Sequence, residues 1–206
     1  MIKLHCTRFD AGGNPILSDA EIDRYAHALL KDYKPGLLEK PGIINYQHFI
    51  ETYLGAMLSF QDIYCDDPDK PILGMAVFRE GEVKVFDREA LSIQEIWVDE
   101  HSILLDNLVL ENGKEGLARF TALHEARHLL LHSGDYDGID DYDKGFVPAT
   151  LSCRRENIES RRRPKCSSHE WKEHQADCFA GCLAIPTATF ISFVRKLLRE
   201  HHVPLR

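Results

Sequence analysis

The strongest constraint on how this chain folds is the stretch His124-Glu125-Ala126-Arg127-His128, in which two histidines stand four residues apart. Residues four apart lie on one face of an α-helix, one turn above the other. As a helix, this stretch can aim both imidazoles at one metal ion, and Glu125 then projects toward a water molecule held there. We therefore expect a helix whose histidine face meets further polar side chains.

The neighbouring residues also predict a helix, from Glu115 to His132. Gly134 is placed to end it, and apolar residues recur around it at helical spacing. These apolar residues are Leu117, Phe120, Leu123, Leu129, Leu130 and Leu131. A His-Glu-x-x-His sequence on a helix is typical of zinc hydrolases, in which the histidines bind the ion and the glutamate acts as general base.

Glu173 and Asp177 are also spaced by four residues, on a second predicted helix that a capping box of Ser167 and Glu170 would begin. A ligand from this helix would complete three protein ligands and leave the fourth position to water, as in catalytic zinc sites. Asp177 can hold the free ring nitrogen of a metal-bound histidine.

The third ligand cannot come from the same helix as the two histidines. His132 lies about 12 Å from His124 along the axis, because eight residues each rise about 1.5 Å. Zinc–nitrogen bonds of about 2.0–2.1 Å cannot span that distance. On the second helix Glu170 is occupied by its capping role, whereas Glu173 stands beside two alanines that allow close helix packing. Glu173 is therefore the predicted third ligand.

These residues resemble the core of the ImmA/IrrE family of metallo-endopeptidases. The first part of the resemblance is Arg119-Phe120-Thr121-Ala122-Leu123-His124-Glu125, followed by His128 and Leu130-Leu131-His132. The second part is Glu173, followed by Ala176-Asp177, Phe179-Ala180 and Pro186. The resemblance is most specific over residues 115–186 and extends loosely back to about residue 70.

The resemblance implies a zincin-like α+β fold and one zinc ion per chain, held by His124, His128 and Glu173. Glu125 would be the catalytic residue of a zinc-dependent peptidase, and Asp177 would support a zinc-bound histidine. The implied substrate is a protein or peptide, such as a cytoplasmic transcriptional repressor or similar regulator cut at a specific site. The residue that steadies the oxyanion stays open among His169, His174 and Tyr136.

The chain departs from the family pattern in two places. Ala126-Arg127 replaces the usual Leu-Gly between the glutamate and the second histidine, and the gap from His128 to Glu173 is long. An arginine beside a zinc ligand has to point away from the metal. Two alternatives stay open: a zinc-binding regulatory or interaction module that has lost proteolysis, and a helical interaction protein that binds no metal.

Length and composition predict a single domain, residues 1–206, with a helical annex over 1–65, the catalytic core over 70–186 and a C-terminal helix over 187–206. The formal net charge of −8 argues against direct nucleic-acid binding. No apolar run approaches the roughly 20 residues of a membrane span, and the N-terminus does not read as a signal peptide. Together with six irregularly spread cysteines, these features predict reduced thiols in a cytoplasmic protein.

Helices are predicted on both sides of a small, mainly antiparallel sheet. Ser18-Asp19-Ala20-Glu21 is a capping box that begins the first helix, and a second helix is expected over residues 45–58. Residues 72–78 and 83–86 are predicted strands joined as a hairpin. Further strands are expected over 93–98 and 102–105, and Pro186 is placed to begin the last helix.

Four cysteines could hold a second, structural zinc: Cys153, Cys166, Cys178 and Cys182. Their spacings lack the close Cys-x-x-Cys pairs of common zinc folds, so buried free thiols are predicted instead. An acidic segment over 135–143 and a basic segment over 154–165 are predicted to be solvated loops.

Overall fold

The computed structural model describes residues 6–10, 15–132, 150–154 and 168–202, and its architecture is mixed α+β. The helices are α1 (Asp19–Tyr33), α2 (Gly36–Glu39), α3 (Tyr46–His48), α4 (Glu115–His132), α5 (Ser168–Ala184) and α6 (Thr187–Glu200). The strands are β1 (Met57–Gln61), β2 (Ile72–Val77), β3 (Gly81–Asp87), β4 (Ser92–Val98), β5 (Ser102–Asp106) and β6 (Thr150–Arg154).

Four of the strands form the main sheet, in the order β1-β5-β2-β6. β1 runs parallel to β5, whereas β2 runs antiparallel to both β5 and β6. The sheet is therefore mainly antiparallel, as predicted. The inner strands β5 and β2 are buried along their whole length, which fits their continuous apolar sequence. Helix α4 packs on this sheet against β2, β5 and β6.

The predicted hairpin between residues 72–78 and 83–86 is wrong. Both segments are strands, but β2 belongs to the main sheet, whereas β3 pairs with β4 in a separate two-stranded sheet. In that small sheet Gly81 lies opposite Val98 and Asp87 lies opposite Ser92. Strand propensity does not identify the partner strand, because pairing depends on packing against cross-strand and same-face neighbours.

The helix predicted over residues 45–58 is shorter than expected. α3 is continued by a π-helical turn, Phe49–Leu54, which ends at Gly55 with a left-handed φ of 70°. Glycine adopts this conformation at little cost because it has no Cβ, so the chain can turn there into β1. Leu58, the last residue of the predicted helix, lies in β1 instead.

Helix α1 begins at its predicted capping box, where the Glu21 carboxylate accepts hydrogen bonds from the backbone N–H and the hydroxyl of Ser18. α1 packs against α5, and α5 packs against α4. The layers therefore follow the order sheet, α4, α5, α1, and one hydrophobic cluster runs through all of them. The apolar residues of α1 are buried in this cluster: Ile22, Tyr25, Ala26, Leu29 and Leu30.

Helix α6 follows Pro186, as predicted, but its apolar side is largely open to solvent. Phe190 is 51% exposed and Phe193 is 46% exposed. Within the described ranges, no single helix has both the length and the apolar composition of a membrane span; Glu170–Ala184 and Thr187–Glu200 meet the criterion only as a pair, bent by 56°.

Candidate metal centre

Residues 121–129, in the middle of α4, are buried. This stretch is not apolar, because Thr121, His124, Glu125, Arg127 and His128 all have 0% exposure. Burying polar and ionisable groups costs free energy unless they are hydrogen-bonded, paired or bound to a metal. α5 and the main sheet both pack against α4 and enclose this stretch.

Glu173 of α5 lies opposite the two histidines of α4. His124 Nε2 and His128 Nε2 are 3.1 Å apart. The carboxylate of Glu173 lies 3.4 Å from each of them, through Oε2 to His124 and through Oε1 to His128. All three residues are buried, and one ligand atom from each lies within 4.8 Å of the others. The structure thus brings together the three residues that the sequence predicts as metal ligands, called the triad below.

The separations within the triad fit one tetrahedral ion. Zinc–nitrogen and zinc–oxygen bonds of about 2.0–2.1 Å at tetrahedral angles place neighbouring ligand atoms roughly 3.3–3.4 Å apart. The triad distances of 3.1 Å and 3.4 Å are close to this spacing. Two histidines and a glutamate are also an established ligand set for catalytic zinc. The triad could therefore hold a metal ion.

The protonation states of the triad suit metal binding. Burial lowers the pKa of His128 to about 4, so its imidazole is neutral near pH 7. Burial raises the pKa of Glu173, but hydrogen bonds and charges from His124 and His128 together outweigh burial and bring that pKa below its ordinary value. The carboxylate is therefore ionised. Metal ligands have to be deprotonated, and both side chains meet this requirement.

Asp177 holds the other ring nitrogen of His124. Its Oδ1 lies 3.0 Å from His124 Nδ1. A carboxylate accepts hydrogen bonds, so this contact places a hydrogen on Nδ1, and Nε2, which faces Glu173 and His128, is the nitrogen that could bind a metal. Asp177 thus occupies the position predicted for a residue that orients a metal-bound histidine.

We expect Asp177→Asn to weaken metal binding at the triad by roughly 10- to 100-fold. Asparagine keeps the size of the side chain but removes the negative charge that favours the required tautomer of His124. Competition between the protein and a chelator of known affinity measures the change. Glu170→Gln, at an exposed position on the same helix, is the control. Unchanged affinity in Asp177→Asn would mean that His124 does not need this partner.

Glu125 is buried where β2 passes close to α4. A methyl group on Gly74 of β2 would lie 3.0 Å from both Cγ and Oε1 of Glu125, and 2.6 Å from Cγ2 of Thr121. Only glycine allows the strand to approach the helix this closely. Gly74 therefore confines the Glu125 side chain, a role that no sequence pattern indicated.

Arg127 bonds to α5 and is not part of the triad. Its Nη2 donates a hydrogen bond of 2.6 Å to Gln175 Oε1, and Gln175 Nε2 donates one of 3.0 Å to the carbonyl oxygen of Pro15. Burial lowers the pKa of Arg127 to about 9, so the guanidinium stays charged near pH 7. The residue that departs from the family pattern thus connects α4 and α5 to the chain just before α1.

His174, one candidate for steadying an oxyanion, contacts α1. Its Nε2 lies 3.0 Å from Oδ1 of Asp19 and 3.6 Å from Sγ of Cys178. Burial and the charge of Asp19 raise the pKa of the Cys178 thiol to about 12. Cys178 and Cys182 are free thiols of intermediate burial, less enclosed than predicted.

Several predicted features lie outside the described residues. They are Tyr136, the Ser167 cap, Cys166, the acidic segment 135–143, most of the basic segment 154–165, and the side chains of His132, Cys153 and His169. The alternative of a four-cysteine zinc site, which the spacings disfavour, therefore stays untested.

Comparisons of the chain with protein-family models, with curated proteins and with solved structures gave no match. The geometry of His124, His128 and Glu173, and of the residues around them, therefore indicates what the protein can do.

Proposed function

We propose that this protein is an intracellular zinc-dependent metallo-endopeptidase, similar to the ImmA/IrrE family in its HExxH helix and its glutamate-bearing helix. The observation that carries the proposal is the approach of His124, His128 and Glu173 to 3.1–3.4 Å in a buried site. Structural zinc sites usually have four protein ligands, whereas three leave a position for water and substrate. Among the described residues, the triad supplies three.

The ligand set favours zinc among the common divalent cations. Magnesium and calcium prefer sites made of oxygen ligands, whereas imidazole nitrogen together with one carboxylate suits zinc. When bound, zinc would supply a Lewis acid for the scissile carbonyl and lower the pKa of a coordinated water to about 7.

Glu125 is the general base in this proposal. It takes a proton from the attacking water and passes it to the amine that leaves. Its side chain is confined by the close approach of Gly74, which helps to orient its carboxylate. Asp177 favours the tautomer of His124 in which Nε2 can bind a metal.

Strand β6 provides a place for an extended substrate. It is an edge strand of the main sheet as described, it lies next to β2, and it contacts α4. An extended peptide can add to a sheet edge through main-chain hydrogen bonds. We propose that the substrate is a repressor or similar regulator cut at one site. This part rests on the family resemblance, because a fold does not determine a substrate.

Co-expression with candidate repressors tests the proposal when cleavage is followed by mass spectrometry and metal is quantified after dialysis. We expect cleavage at one site, lost on chelation and restored by zinc. A protein that holds zinc but cuts no candidate would support the alternative, a zinc-binding module without proteolysis. A protein that takes up no metal at the triad would refute both proposals.

A further inference from the structure

A second group of metal-binding side chains lies between α1 and α5. We propose that Asp19, His174 and Cys178 bind a second divalent cation, of the kind that accepts thiolate ligands and above all zinc. This ion would fasten α1 to α5. The proposal does not depend on peptidase activity, because it uses none of the triad residues.

The three donor atoms have separations close to those of ligands around one ion. Asp19 Oδ1 lies 3.0 Å from His174 Nε2 and 3.7 Å from Cys178 Sγ. Cys178 Sγ lies 3.6 Å from His174 Nε2. Around tetrahedral zinc, with a Zn–S bond of about 2.3 Å and Zn–N or Zn–O bonds of about 2.0–2.1 Å, these pairs would lie roughly 3.3–3.6 Å apart. Small side-chain adjustments would therefore admit the ion.

Helical spacing explains why these residues meet. His174 and Cys178 are four residues apart and lie on one face of α5. Asp19 is the first residue of α1, which packs against α5. Glu173 and Asp177, each one residue earlier on α5, contact His124 of α4 instead. α5 thus directs one pair of side chains at α4 and the next pair at α1.

The donor types decide which ions fit. Imidazole and thiolate ligands suit zinc and disfavour magnesium and calcium, which prefer oxygen. Asp19 is 73% exposed and His174 is 28% exposed, so solvent can complete the coordination. Asp177 interacts electrostatically with the Cys178 thiol. Its carboxylate adds negative potential that favours a cation at this position.

Metal binding here exchanges one proton for one ion. In the metal-free protein the Cys178 thiol donates a hydrogen bond to Asp19 Oδ1. The cation takes the place of that proton, which is released to solvent, and the thiolate becomes a ligand.

Cobalt(II) separates the two sites because only the second has a sulfur ligand. We expect the metal-free protein to take up cobalt at both sites and to show near-ultraviolet thiolate-to-cobalt charge-transfer absorption. Cys178→Ser should abolish this absorption and leave uptake at the triad. Asp19→Asn, a change of similar size at an exposed position, should weaken cobalt binding at the second site by more than about 10-fold. His128→Ala should remove the triad uptake and keep the absorption.

Cys182→Ser and Asp23→Asn are the matched controls. They lie one turn further along α5 and α1, where Asp23 and Cys182 interact with each other. Both variants should keep the charge-transfer band. A wild-type protein that loads the triad but shows no band would overturn the proposal, as would a band lost in Cys182→Ser but kept in Cys178→Ser. If only the triad failed to take up cobalt, the peptidase proposal would be wrong and the proposal of the second site would be unaffected.

Discussion

Glu173→Ala is expected to abolish metal binding at the triad and, with it, any peptidase activity. Glu173 is the negatively charged member of the triad, and its carboxylate reaches both histidines at 3.4 Å. Alanine leaves only the two imidazoles, which make a weak site. We expect the affinity to fall by more than about 100-fold, which exceeds the loss usual for a residue that only supports a ligand. Metal quantification after dialysis against a weak chelator measures the loss.

The measurement is cleanest in a Cys178→Ser background, because the second site then holds no ion. Glu170→Ala is the matched control, since Glu170 lies three residues earlier on α5 and is exposed. It should keep the metal. Circular dichroism of both variants checks that α5 still forms. Retention of zinc by a folded Glu173→Ala protein would exclude Glu173 as the third ligand and would point to another residue.

The local features of the fold could be predicted from the sequence because nearby residues determine them. The Ser18–Glu21 capping box predicted the start of α1, and apolar spacing predicted α4 over Glu115–His132. The partners of the strands could not be predicted in this way. β2 and β3 are neighbours in sequence and belong to different sheets, because pairing depends on distant elements.

The same division applies to the candidate site. Spacings of four residues on two helices, together with the capping role of Glu170 and the family resemblance, selected His124, His128, Glu173 and Asp177. The helices bring these residues together. The close approach of Gly74 to Glu125 has no local signal, because it depends on how β2 crosses α4. The group of Asp19, His174 and Cys178 does have a local signal in the sequence of α5, where His174, Cys178 and Cys182 recur every four residues. That periodicity alone did not identify α1 as the facing helix.

Arg127 shows that a departure from the family pattern can have a structural role. Compared with the family pattern it is an unfavourable substitution, since it places a charge beside a metal ligand. In the structure its guanidinium donates to Gln175, which in turn donates to Pro15. The hydrogen bond from the guanidinium to Gln175 joins α4 to α5. Because Gln175 engages its guanidinium, Arg127 is compatible with metal binding at the triad.

Glu125→Gln is expected to separate metal binding from catalysis. Glutamine has nearly the same size, so it should fit beneath Gly74, where Glu125 Oε1 is already close to the strand. Glu125 is not a member of the triad, so the variant should keep its metal and its fold. It cannot accept a proton from water, however, and loss of a general base costs a factor of roughly 10² to 10⁴ in rate.

The rate of cleavage and the metal content should therefore be measured on the same preparation of Glu125→Gln. Thr121→Ser, a conservative change at the other side chain near Gly74, is the control for disturbed packing at this contact. It should keep most of the activity. If Glu125→Gln cleaved the substrate as fast as the unmodified protein, another group would have to remove the proton, and the mechanism proposed here would be wrong. If it lost both metal and activity, Glu125 would be needed to assemble the triad, and its role as a general base would lose its support.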